Sequence, residues 1–389
     1  MEVLNESQDF TDFTDLDISY EMNYSSNNFT YYGYVCPALE STTLESSSNF
    51  LSFQTHFILC GYLLVFILGV AGNGLMLAIL MRYKHARRLT ENYLLHLAIA
   101  DLLLLLTFPF AMVEVLSGWI FGEFLCRTVY SIHKVNFYSS SLLLGCISVD
   151  RYLAVVHAVH TYNKRNPASI HLTCLVVWLL CLLLAVPSLI MLEVSHVNVG
   201  VNINGRINTN GSSNPSYNYS RCVYSQFSYS SRWWHANRFV HHLVGFMVPL
   251  LVMSVCYAAI VRALCRSQGF GKQKAVRVAL VITGVFFLCW TPYNIVIFLD
   301  TLLELEALQG CSLSLYLPSA IIVTEALGFL HCCLNPILYA FISVKFRQEL
   351  LRVLGQMGCL GQRGLQKVLQ IKRRSSGTDS DNATSVSTY

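Results

Sequence analysis

The sequence predicts an all-α membrane protein: a seven-transmembrane helix bundle followed by a short amphipathic eighth helix. Hydrophobic residues make up 54% of the 389 residues and charged residues only 12%, and the mean hydropathy is +0.49. This composition is typical of membrane proteins. The number of helices follows from long apolar runs, and their orientation follows from the basic residues between those runs.

Seven segments are long enough to cross a hydrocarbon core of roughly 30 Å as helices. Four of them contain no Asp, Glu, Lys or Arg: 57–81, 168–192, 239–261 and 278–299. Three more have the length but carry charged residues: 92–113, 124–149 and 313–342. Because a charge inside a membrane is costly, each of these three spans is a candidate for a functional site.

The connections between spans orient the bundle. Residues 82–91 contain four Lys or Arg and residues 262–277 contain five, so both connections belong in the cytosol. Seven spans then put the N-terminus outside, and the tail after residue 342, with its eight Lys or Arg, inside. No basic region followed by a short apolar region precedes the first span, so we expect no cleavable signal peptide. The sequence thus predicts a multi-pass protein of the plasma membrane.

An acidic extracellular tail, residues 1–50, is predicted to precede the bundle at 51–343. Residues 1–49 contain nine Asp or Glu and no Lys or Arg, a composition that predicts disorder and attraction to a basic partner. Tyr20 and Tyr24 lie beside acidic residues of this tail and are candidate ligand contacts. Five glycosylation sequons fall on the predicted extracellular side, at Asn5, Asn23, Asn28, Asn210 and Asn218.

Four of the 14 cysteines lie on the extracellular side: Cys36, Cys126, Cys222 and Cys311. Four thiols allow three pairings. Cys126 opens the third span and Cys222 lies in the long loop before the fifth, whereas Cys36 and Cys311 precede the first and seventh spans. The most economical pairing is therefore Cys126 with Cys222 and Cys36 with Cys311, and an oxidising exterior would keep both bonds closed.

An acid–base pair, Asp150-Arg151, interrupts the apolar run of the third span and is followed by Tyr152. At 1.5 Å per residue, Arg151 lies about 38 Å along the helix from Cys126, at the cytosolic rim. If this ion pair opened, the guanidinium would be available to donate hydrogen bonds to a cytosolic partner. The alternative is a helix end whose charged groups simply reach into water.

Each span carries a characteristic short motif. In chain order these are Gly72-Asn73-Gly74, Leu97-Ala98-Ile99-Ala100-Asp101, Asp150-Arg151-Tyr152, Trp178, Pro249 with Tyr257, Cys289-Trp290-Thr291-Pro292, and Asn335-Pro336-Ile337-Leu338-Tyr339. Over roughly residues 55–355 the chain therefore resembles the rhodopsin-like G-protein-coupled receptors. Finer features resemble chemokine receptors: Thr107-Phe108-Pro109, Trp119-Ile120-Phe121-Gly122, the additional Cys36 and Cys311, and the run from His331 to Pro336.

Three stretches narrow the resemblance to the CXC class, and within it to a receptor that guides B lymphocytes. They are His133–Tyr138, Lys272–Ala279 and Asp381–Tyr389. The sequence departs from the family where Val155 replaces the usual Ile and where Ala111 replaces a Trp found in many members. The second departure suggests a wider pocket beside the second span.

An activation switch is implied by this resemblance. Phe286 and Trp290 lie four residues apart and so face the same side of the sixth span, and Pro292 is expected to kink that helix. Together with Arg151 and Tyr257 they would form a lever between the ligand and the cytosolic face. The remaining members of the predicted switch are Asp150 and Tyr152 of the third span and Asn335, Pro336 and Tyr339 of the seventh.

Asp101 is a carboxylate deep in the second span and should pair with another group. The resemblance implies an allosteric sodium ion held by Asp101, Asn136, Ser140 and Asn335, which His331 could join. The alternative is a protonated Asp101 hydrogen-bonded to amides. We expect no other cofactor or metal.

Acidic residues line the predicted outer pocket: Glu114, Asp300 and Glu325 lie about 12 to 20 Å outward from the motifs of their own helices. Lys134 and its neighbour His133 enter the pocket from the third span. Glu325 is the strongest candidate for binding the ligand, and its alternative is a salt bridge to Lys134. We expect a basic CXC chemokine to be drawn in by the acidic tail before its flexible end enters the bundle.

The cytosolic tail is predicted to begin with an amphipathic helix on the inner leaflet, residues 344–357, and to continue as a disordered segment, 358–389. Phosphorylation is expected at Ser375, Ser376, Ser380 and Ser385. The resemblance implies receptor kinases and arrestin as partners of this tail, and an inhibitory-class heterotrimeric G protein as the partner of the bundle. Cys359 is a palmitoylation candidate or a plain thiol.

Other classes of function fit the sequence less well. It contains no nucleophile elbow, phosphate-binding loop or metal-spaced His and Cys cluster, so no catalytic residues are expected, and no nucleic-acid partner is expected either. A transporter would usually show an inverted repeat, which these seven unlike spans lack. A scavenging chemokine receptor that does not signal to G proteins is the nearer alternative. The intact Asp150-Arg151-Tyr152 motif and the basic run from Lys272 to Arg277 argue against it.

Overall fold

A computed structural model of the chain describes residues 28–31, 34–37, 44–82, 89–157, 167–200, 216–225, 232–266, 273–305, 307–308, 311–342 and 344–356. The helices are α1 (Leu44–Arg82), α2 (Leu89–Leu105), α3 (Phe108–Ser117), α4 (Gly122–Val156), α5 (Pro167–Met191), α6 (Arg232–His242), α7 (Val248–Arg266), α8 (Gln273–Glu304), α9 (Cys311–Ile342) and α10 (Val344–Gln356). Among the described residues, seven helical segments are long and apolar enough to span a membrane. The predicted seven-helix bundle is confirmed.

Two of the spans consist of two helices each. In the second span, α2 and α3 meet at Thr107, whose hydroxyl donates to the Leu104 carbonyl at 2.6 Å. Pro109, in the first turn of α3, has no N–H to donate back across this break. In the fifth span, a π-helical turn at Leu243–Met247 joins α6 to α7 and ends beside Pro249, which again interrupts the α-helical ladder.

The helix of the third span, α4, lies at the centre of the bundle. It packs against the second, fourth, fifth and sixth spans. Its buried polar residues include Asn136, Ser140 and Asp150, which therefore face other helices rather than lipid. Leu183 and Leu288, on the fourth and sixth spans, are 67% and 75% exposed, as expected of side chains that face the hydrocarbon of a bilayer.

Two antiparallel hairpins add to the helices and were not predicted. Strands β1 (Asn28–Tyr31) and β2 (Tyr34–Pro37) form the first. Strands β3 (Leu192–Gly200) and β4 (Ser216–Tyr224) form the second, in the connection between the fourth and fifth spans. The long, polar connection between the fourth and fifth spans shows no clear alternation of apolar and polar residues from which strands could be inferred.

Helix α10 confirms the predicted eighth helix, with bounds at Val344–Gln356. The buried ring of Phe346 packs edge-on against Tyr339 of the seventh span, with ring centroids 4.9 Å apart. This contact anchors α10 to the cytosolic end of the bundle.

Candidate ligand-binding site and signalling core

The Cys126–Cys222 disulfide fastens the β3–β4 hairpin to the extracellular end of the third span, as predicted. Arg127 Nε donates to the Leu192 carbonyl at 2.9 Å, and the Trp119 N–H donates to the Ser220 carbonyl at 2.6 Å. The hairpin is therefore held at three points above the helices. The other predicted disulfide, Cys36–Cys311, involves side chains outside those that the structure describes.

Glu114 of the second span helps to hold this hairpin. Its carboxylate accepts a hydrogen bond from the Cys222 N–H at 3.0 Å and another from the Tyr130 hydroxyl at 2.8 Å. Only 8% of Glu114 is exposed. The structure thus gives this predicted ligand contact a role in joining the second span, the third span and β4.

Asp300 of the sixth span is paired within the protein. Arg238 Nη1 lies 2.6 Å from its carboxylate and 3.5 Å from that of Glu304, and the guanidinium lies 4.6 Å from the centre of the Trp234 ring. Sequence reasoning missed Arg238, because it lies one residue before the uncharged run of the fifth span. Asp300 was predicted as a ligand contact, and the geometry makes it part of an internal ion-pair cluster.

Lys134 and Glu325 remain apart. Both side chains are half-buried, on the third and seventh spans, and neither forms a hydrogen bond or salt bridge with any residue that the structure describes. The alternative of a Lys134–Glu325 salt bridge is therefore not realised. His133, beside Lys134, forms a 2.8 Å hydrogen bond with Thr107, at the break of the second span, and lies edge-on to Phe329 at 5.3 Å.

An aromatic cluster, called here the aromatic floor, surrounds Trp290, which is 2% exposed. Phe137 of the third span meets its ring edge-on at 4.8 Å, and Phe329 of the seventh span does so at 5.8 Å. Phe286 lies one turn below, with its ring 6.4 Å away. A Cβ at Gly328 would lie 2.9 Å from the indole, so only glycine allows this close approach. The predicted switch pair is thus buried against the third and seventh spans.

His331 connects the aromatic cluster to Asp101. The Trp290 indole N–H donates to His331 Nδ1 at 3.2 Å, and His331 Nε2 lies 3.7 Å from the Asp101 carboxylate. That carboxylate also accepts hydrogen bonds from Asn335 at 3.0 Å and Asn136 at 3.2 Å. The Cys332 thiol lies 3.4 Å from the same carboxylate.

Four polar side chains of the first, third and seventh spans have uncommitted oxygen atoms, and two of them, Asn136 and Asn335, donate hydrogen bonds to Asp101. The side-chain oxygens of Asn73, Asn136, Ser140 and Asn335 are buried and have no hydrogen-bond partner among the described residues. Amide, hydroxyl and carboxylate oxygens are the ligands that hard cations prefer. The donor set therefore fits the sodium ion that the resemblance implies.

At the cytosolic end, Arg151 Nη2 lies 2.7 Å from the Asp150 carboxylate, and the two side chains are only 15% and 10% exposed. Tyr257 of the fifth span bonds to Ser148 of the third at 3.1 Å and to Thr283 of the sixth at 3.2 Å. These contacts connect the cytosolic ends of the third, fifth and sixth spans, and the Asp150–Arg151 ion pair is formed.

The other residues of the predicted switch lie near this end. The Tyr152 hydroxyl lies 3.1 Å from the His157 ring, outside the ion pair. Tyr339 lies 3.4 Å from Glu91 of the second span. Pro292 and Pro336 lie inside the helices of the sixth and seventh spans, where each removes one backbone hydrogen bond.

Several predicted sites fall outside the described part of the chain. They are Tyr20, Tyr24, Asn5, Asn23, Asn210, Ser375, Ser376, Ser380, Ser385 and Cys359. Asn28 and Asn218 lie in β1 and β4, with only their backbone described. These assignments stay predictions.

The bundle, its fastened hairpin and the inner Asp–Arg pair define a seven-transmembrane receptor. Residues 72–339 match the family described as 7 transmembrane receptor (rhodopsin family), and the chain belongs to that family. It is 47% identical to the C-X-C chemokine receptor type 5 of Homo sapiens over 92% of this chain and 91% of that receptor. It is 48% identical to the type 5 receptor of Mus musculus over 87% of each chain.

A second kind of relative is more distant. The C-X-C chemokine receptor type 3 of Homo sapiens is 40% identical over 87% of this chain and 86% of that receptor. The predicted resemblance to the CXC class of chemokine receptors, and to type 5 in particular, is confirmed. The chain is a multi-pass protein of the plasma membrane, and its family is one of receptors and not of enzymes.

Proposed function

We propose that the chain binds a basic CXC chemokine, the B-lymphocyte chemoattractant, at its extracellular face and activates an inhibitory-class heterotrimeric G protein. The response would be chemotaxis and lymphocyte homing. The observation that carries this proposal is the half-buried Glu325 of the seventh span, which forms no hydrogen bond or ion pair with the described residues. An uncompensated carboxylate inside a bundle favours a cationic ligand group. The similarity to type 5 receptors supports the choice of ligand.

Capture of the chemokine begins at the acidic tail. Residues 1–49 contain nine Asp or Glu and no Lys or Arg. Their charge attracts a basic protein over roughly one Debye length, about 8 Å at physiological ionic strength. Sulfation of Tyr20 and Tyr24 would add permanent negative charge.

The sixth span carries the signal from the bound ligand to the cytosolic face. A ligand that reaches the aromatic floor changes the packing around Trp290, two residues before the helix-breaking Pro292. Movement of the inner half of this span breaks the Tyr257–Thr283 contact and frees Arg151 from Asp150. The guanidinium then donates hydrogen bonds to the G protein.

A sodium ion at Asp101, Asn136, Ser140 and Asn335 belongs to the same proposal. When bound, it supplies a positive charge that compensates the buried carboxylate. The buried oxygens of Asn136, Ser140 and Asn335, which have no hydrogen-bond partner among the described residues, support this assignment. Held among the second, third and seventh spans, the ion would stabilise the closed arrangement.

Regulation is assigned to the cytosolic tail. Phosphates placed by receptor kinases on Ser375, Ser376, Ser380 and Ser385 would create a negatively charged segment for the basic surface of arrestin. The basic pair Arg373-Arg374 precedes these sites and would be partly neutralised by them.

The test is inhibition of cyclic AMP in cells that express the full chain at the surface, challenged with a panel of purified CXC chemokines. We expect one of them to lower cyclic AMP, and we expect Arg151→Ala to abolish this response while surface expression and chemokine binding persist. Glu325→Gln should weaken both binding and signalling. A chemokine that is bound and internalised without lowering cyclic AMP in the unmodified receptor would instead identify a scavenging receptor.

A further inference from the structure

We propose that Asp101, His331 and Cys332 form a binding site for a zinc ion between the second and seventh spans. The proposal goes beyond the proposed function and does not depend on which chemokine the receptor binds. It also differs from the sodium assignment in its donor atoms. Sodium is a hard cation that prefers oxygen ligands, whereas a thiolate and an imidazole are the ligands of zinc.

Three donor atoms carry the proposal: a carboxylate oxygen, an imidazole nitrogen and a sulfur. His331 Nε2 lies 3.7 Å from Asp101 Oδ1, Cys332 Sγ lies 3.4 Å from the same oxygen, and the nitrogen and the sulfur are 3.5 Å apart. All three side chains are 0% exposed. Asp101 and Cys332 are 231 residues apart in the chain, so the sequence pattern does not indicate this cluster and only the fold creates it.

These separations match the edges of a zinc coordination tetrahedron. With Zn–O, Zn–N and Zn–S bonds of about 2.0, 2.1 and 2.3 Å, the donor atoms around one tetrahedral ion lie about 3.3–3.6 Å apart. The 3.7 Å between His331 Nε2 and the Asp101 oxygen is too long for a direct hydrogen bond, whose N···O distance is about 2.7–3.2 Å. The sulfur–oxygen distance also fits a thiol hydrogen bond, so the nitrogen–oxygen separation is the one that favours an ion.

The neighbouring groups hold the donors in place for a metal. His331 Nδ1 lies 2.7 Å from the Gly328 carbonyl, and a metal-bound histidine typically donates its other ring N–H to such an acceptor. The second carboxylate oxygen of Asp101, Oδ2, accepts a hydrogen bond from Asn335 at 3.0 Å, which orients Oδ1 toward the imidazole and the thiol. Water would complete the tetrahedron, as it does in other zinc sites with three protein ligands.

The charges of the site balance when zinc is bound. Zinc binds the Asp101 carboxylate as it stands and binds Cys332 as a thiolate, so a Zn–S bond forms and the thiol proton is released to solvent. The carboxylate and the thiolate together cancel the two positive charges of the ion, and the neutral imidazole adds none. A neutral complex is less costly to bury than the carboxylate alone.

Zinc at this site would also act on Trp290. A neutral imidazole carries one N–H, so an ion on Nε2 places the hydrogen on Nδ1, where the Gly328 carbonyl accepts it. The Trp290 indole N–H, 3.2 Å from the same Nδ1, then loses its acceptor. The ion would therefore join the second span to the seventh and release one hydrogen bond of the sixth.

The test uses Co²⁺ as a spectroscopic substitute for zinc, added to the full-length receptor in lipid nanodiscs and purified without a histidine tag. Each addition is followed until the absorbance is constant, because the donors are buried. We expect one equivalent of Co²⁺ to give a thiolate-to-cobalt charge-transfer band in the near ultraviolet and the intense visible bands of a tetrahedral ion. Zinc binds such sites more tightly than cobalt and should displace it, with loss of both features.

A matched pair of variants identifies the sulfur ligand. Cys332→Ser should remove the charge-transfer band and weaken cobalt binding by at least about 10- to 100-fold, since even the loss of an outer-shell partner has an effect of that size. Cys333→Ser is the control, because its buried thiol lies 3.1 Å from the Leu330 carbonyl and is not one of the three donors. This variant should keep the band. A charge-transfer band that persists in Cys332→Ser would overturn the proposal.

A second measurement uses only the unmodified receptor, so it does not depend on the folding of a variant. X-ray absorption of the zinc-loaded receptor should show one sulfur at about 2.3 Å and nitrogen and oxygen atoms at about 2.0–2.1 Å. A shell of nitrogen and oxygen alone, or no zinc retained after desalting, would refute the site. Neither measurement uses a chemokine, so a receptor that binds zinc and responds to no CXC chemokine would refute only the proposed function.

Discussion

Replacing Arg238 with Met is expected to destabilise the extracellular half of the receptor. Arg238 lies between two carboxylates, 2.6 Å from that of Asp300 and 3.5 Å from that of Glu304. The side chains of Asp300 and Glu304 are only 1% and 5% exposed. Methionine retains most of the apolar volume of the arginine and removes the charge, so the variant isolates the electrostatic contribution.

The magnitude follows from the burial of these two acids. Removing one partner of a buried ion pair typically costs about 3–5 kcal/mol, because the remaining charge has lost its compensation. Part of that cost will be relieved by protonation of one carboxylate. Changing Asp300 to Asn in the Arg238→Met background removes one of the two charges, and we expect it to recover at least half of the lost stability.

The assay is the apparent melting temperature of purified receptor in lipid nanodiscs. Given roughly 2–4 °C per kcal/mol for domains of 150–250 residues, and less for a larger protein, Arg238→Met should lower it by about 5–15 °C. The double variant should melt between the single variant and the unmodified receptor. If Arg238→Met melts normally, or if Asp300→Asn lowers its stability further, the carboxylates are not compensated by this arginine.

The same pair of variants also tests the predicted role of Asp300 in ligand binding. A double variant that regains stability and still binds the chemokine makes Asp300 a structural residue. A double variant that regains stability without binding makes it a ligand contact.

Three further predictions address the hairpin, the tail and the aromatic floor. Cys126→Ser removes the disulfide that closes a loop of 96 residues. The loss of this restriction on the unfolded chain should lower the free energy of unfolding by about 4–5 kcal/mol. We therefore expect surface expression, measured by flow cytometry, to fall sharply. Association of the chemokine, measured by surface plasmon resonance, should slow several-fold between 50 and 500 mM NaCl, on the order expected for electrostatic steering. A chain without residues 1–30 should show a much flatter salt dependence. Gly328→Ala places a Cβ 2.9 Å from Trp290 and should raise basal G-protein activation at equal surface expression; unchanged basal activity would contradict the proposed packing.

The membrane-spanning architecture could be predicted because its physical cause lies within each segment. A run such as 168–192 has no charge and the length of a bilayer, and no tertiary contact is needed to interpret it. The breaks within the second and fifth spans were harder to predict from the sequence. Pro109 and Pro249 indicate a local break, but a π-helical turn at Leu243–Met247 depends on how the fifth span packs against Phe137.

The sequence identified many residues of the candidate site, but it did not show which of them contact one another. Asp101, Asn136 and Asn335 could be grouped because the resemblance places them at one depth, and the structure brings them together. Arg238 could not be assigned to Asp300, since the two lie 62 residues apart and nothing local connects them. The separation of Lys134 from Glu325 likewise depends on helix rotation, which hydrophobic periodicity gives only coarsely.

One continuous set of contacts joins the third span above Trp290 to the buried Asp101 carboxylate. Lys134 lies one helical turn above Phe137, whose ring packs edge-on against Trp290 at 4.8 Å. The indole donates to His331 at 3.2 Å, and His331 lies 3.7 Å from Asp101. Proximity alone does not establish energetic coupling, which requires an element with two arrangements that both sites bias. The sixth span is the candidate for that element, because Trp290 and Pro292 lie in its outer half and Thr283 bonds to Tyr257 at its cytosolic end. A contact that shifted this helix would act at once on the packing around Trp290 and on the Tyr257–Thr283 bond at the cytosolic end, near the Asp150–Arg151 pair.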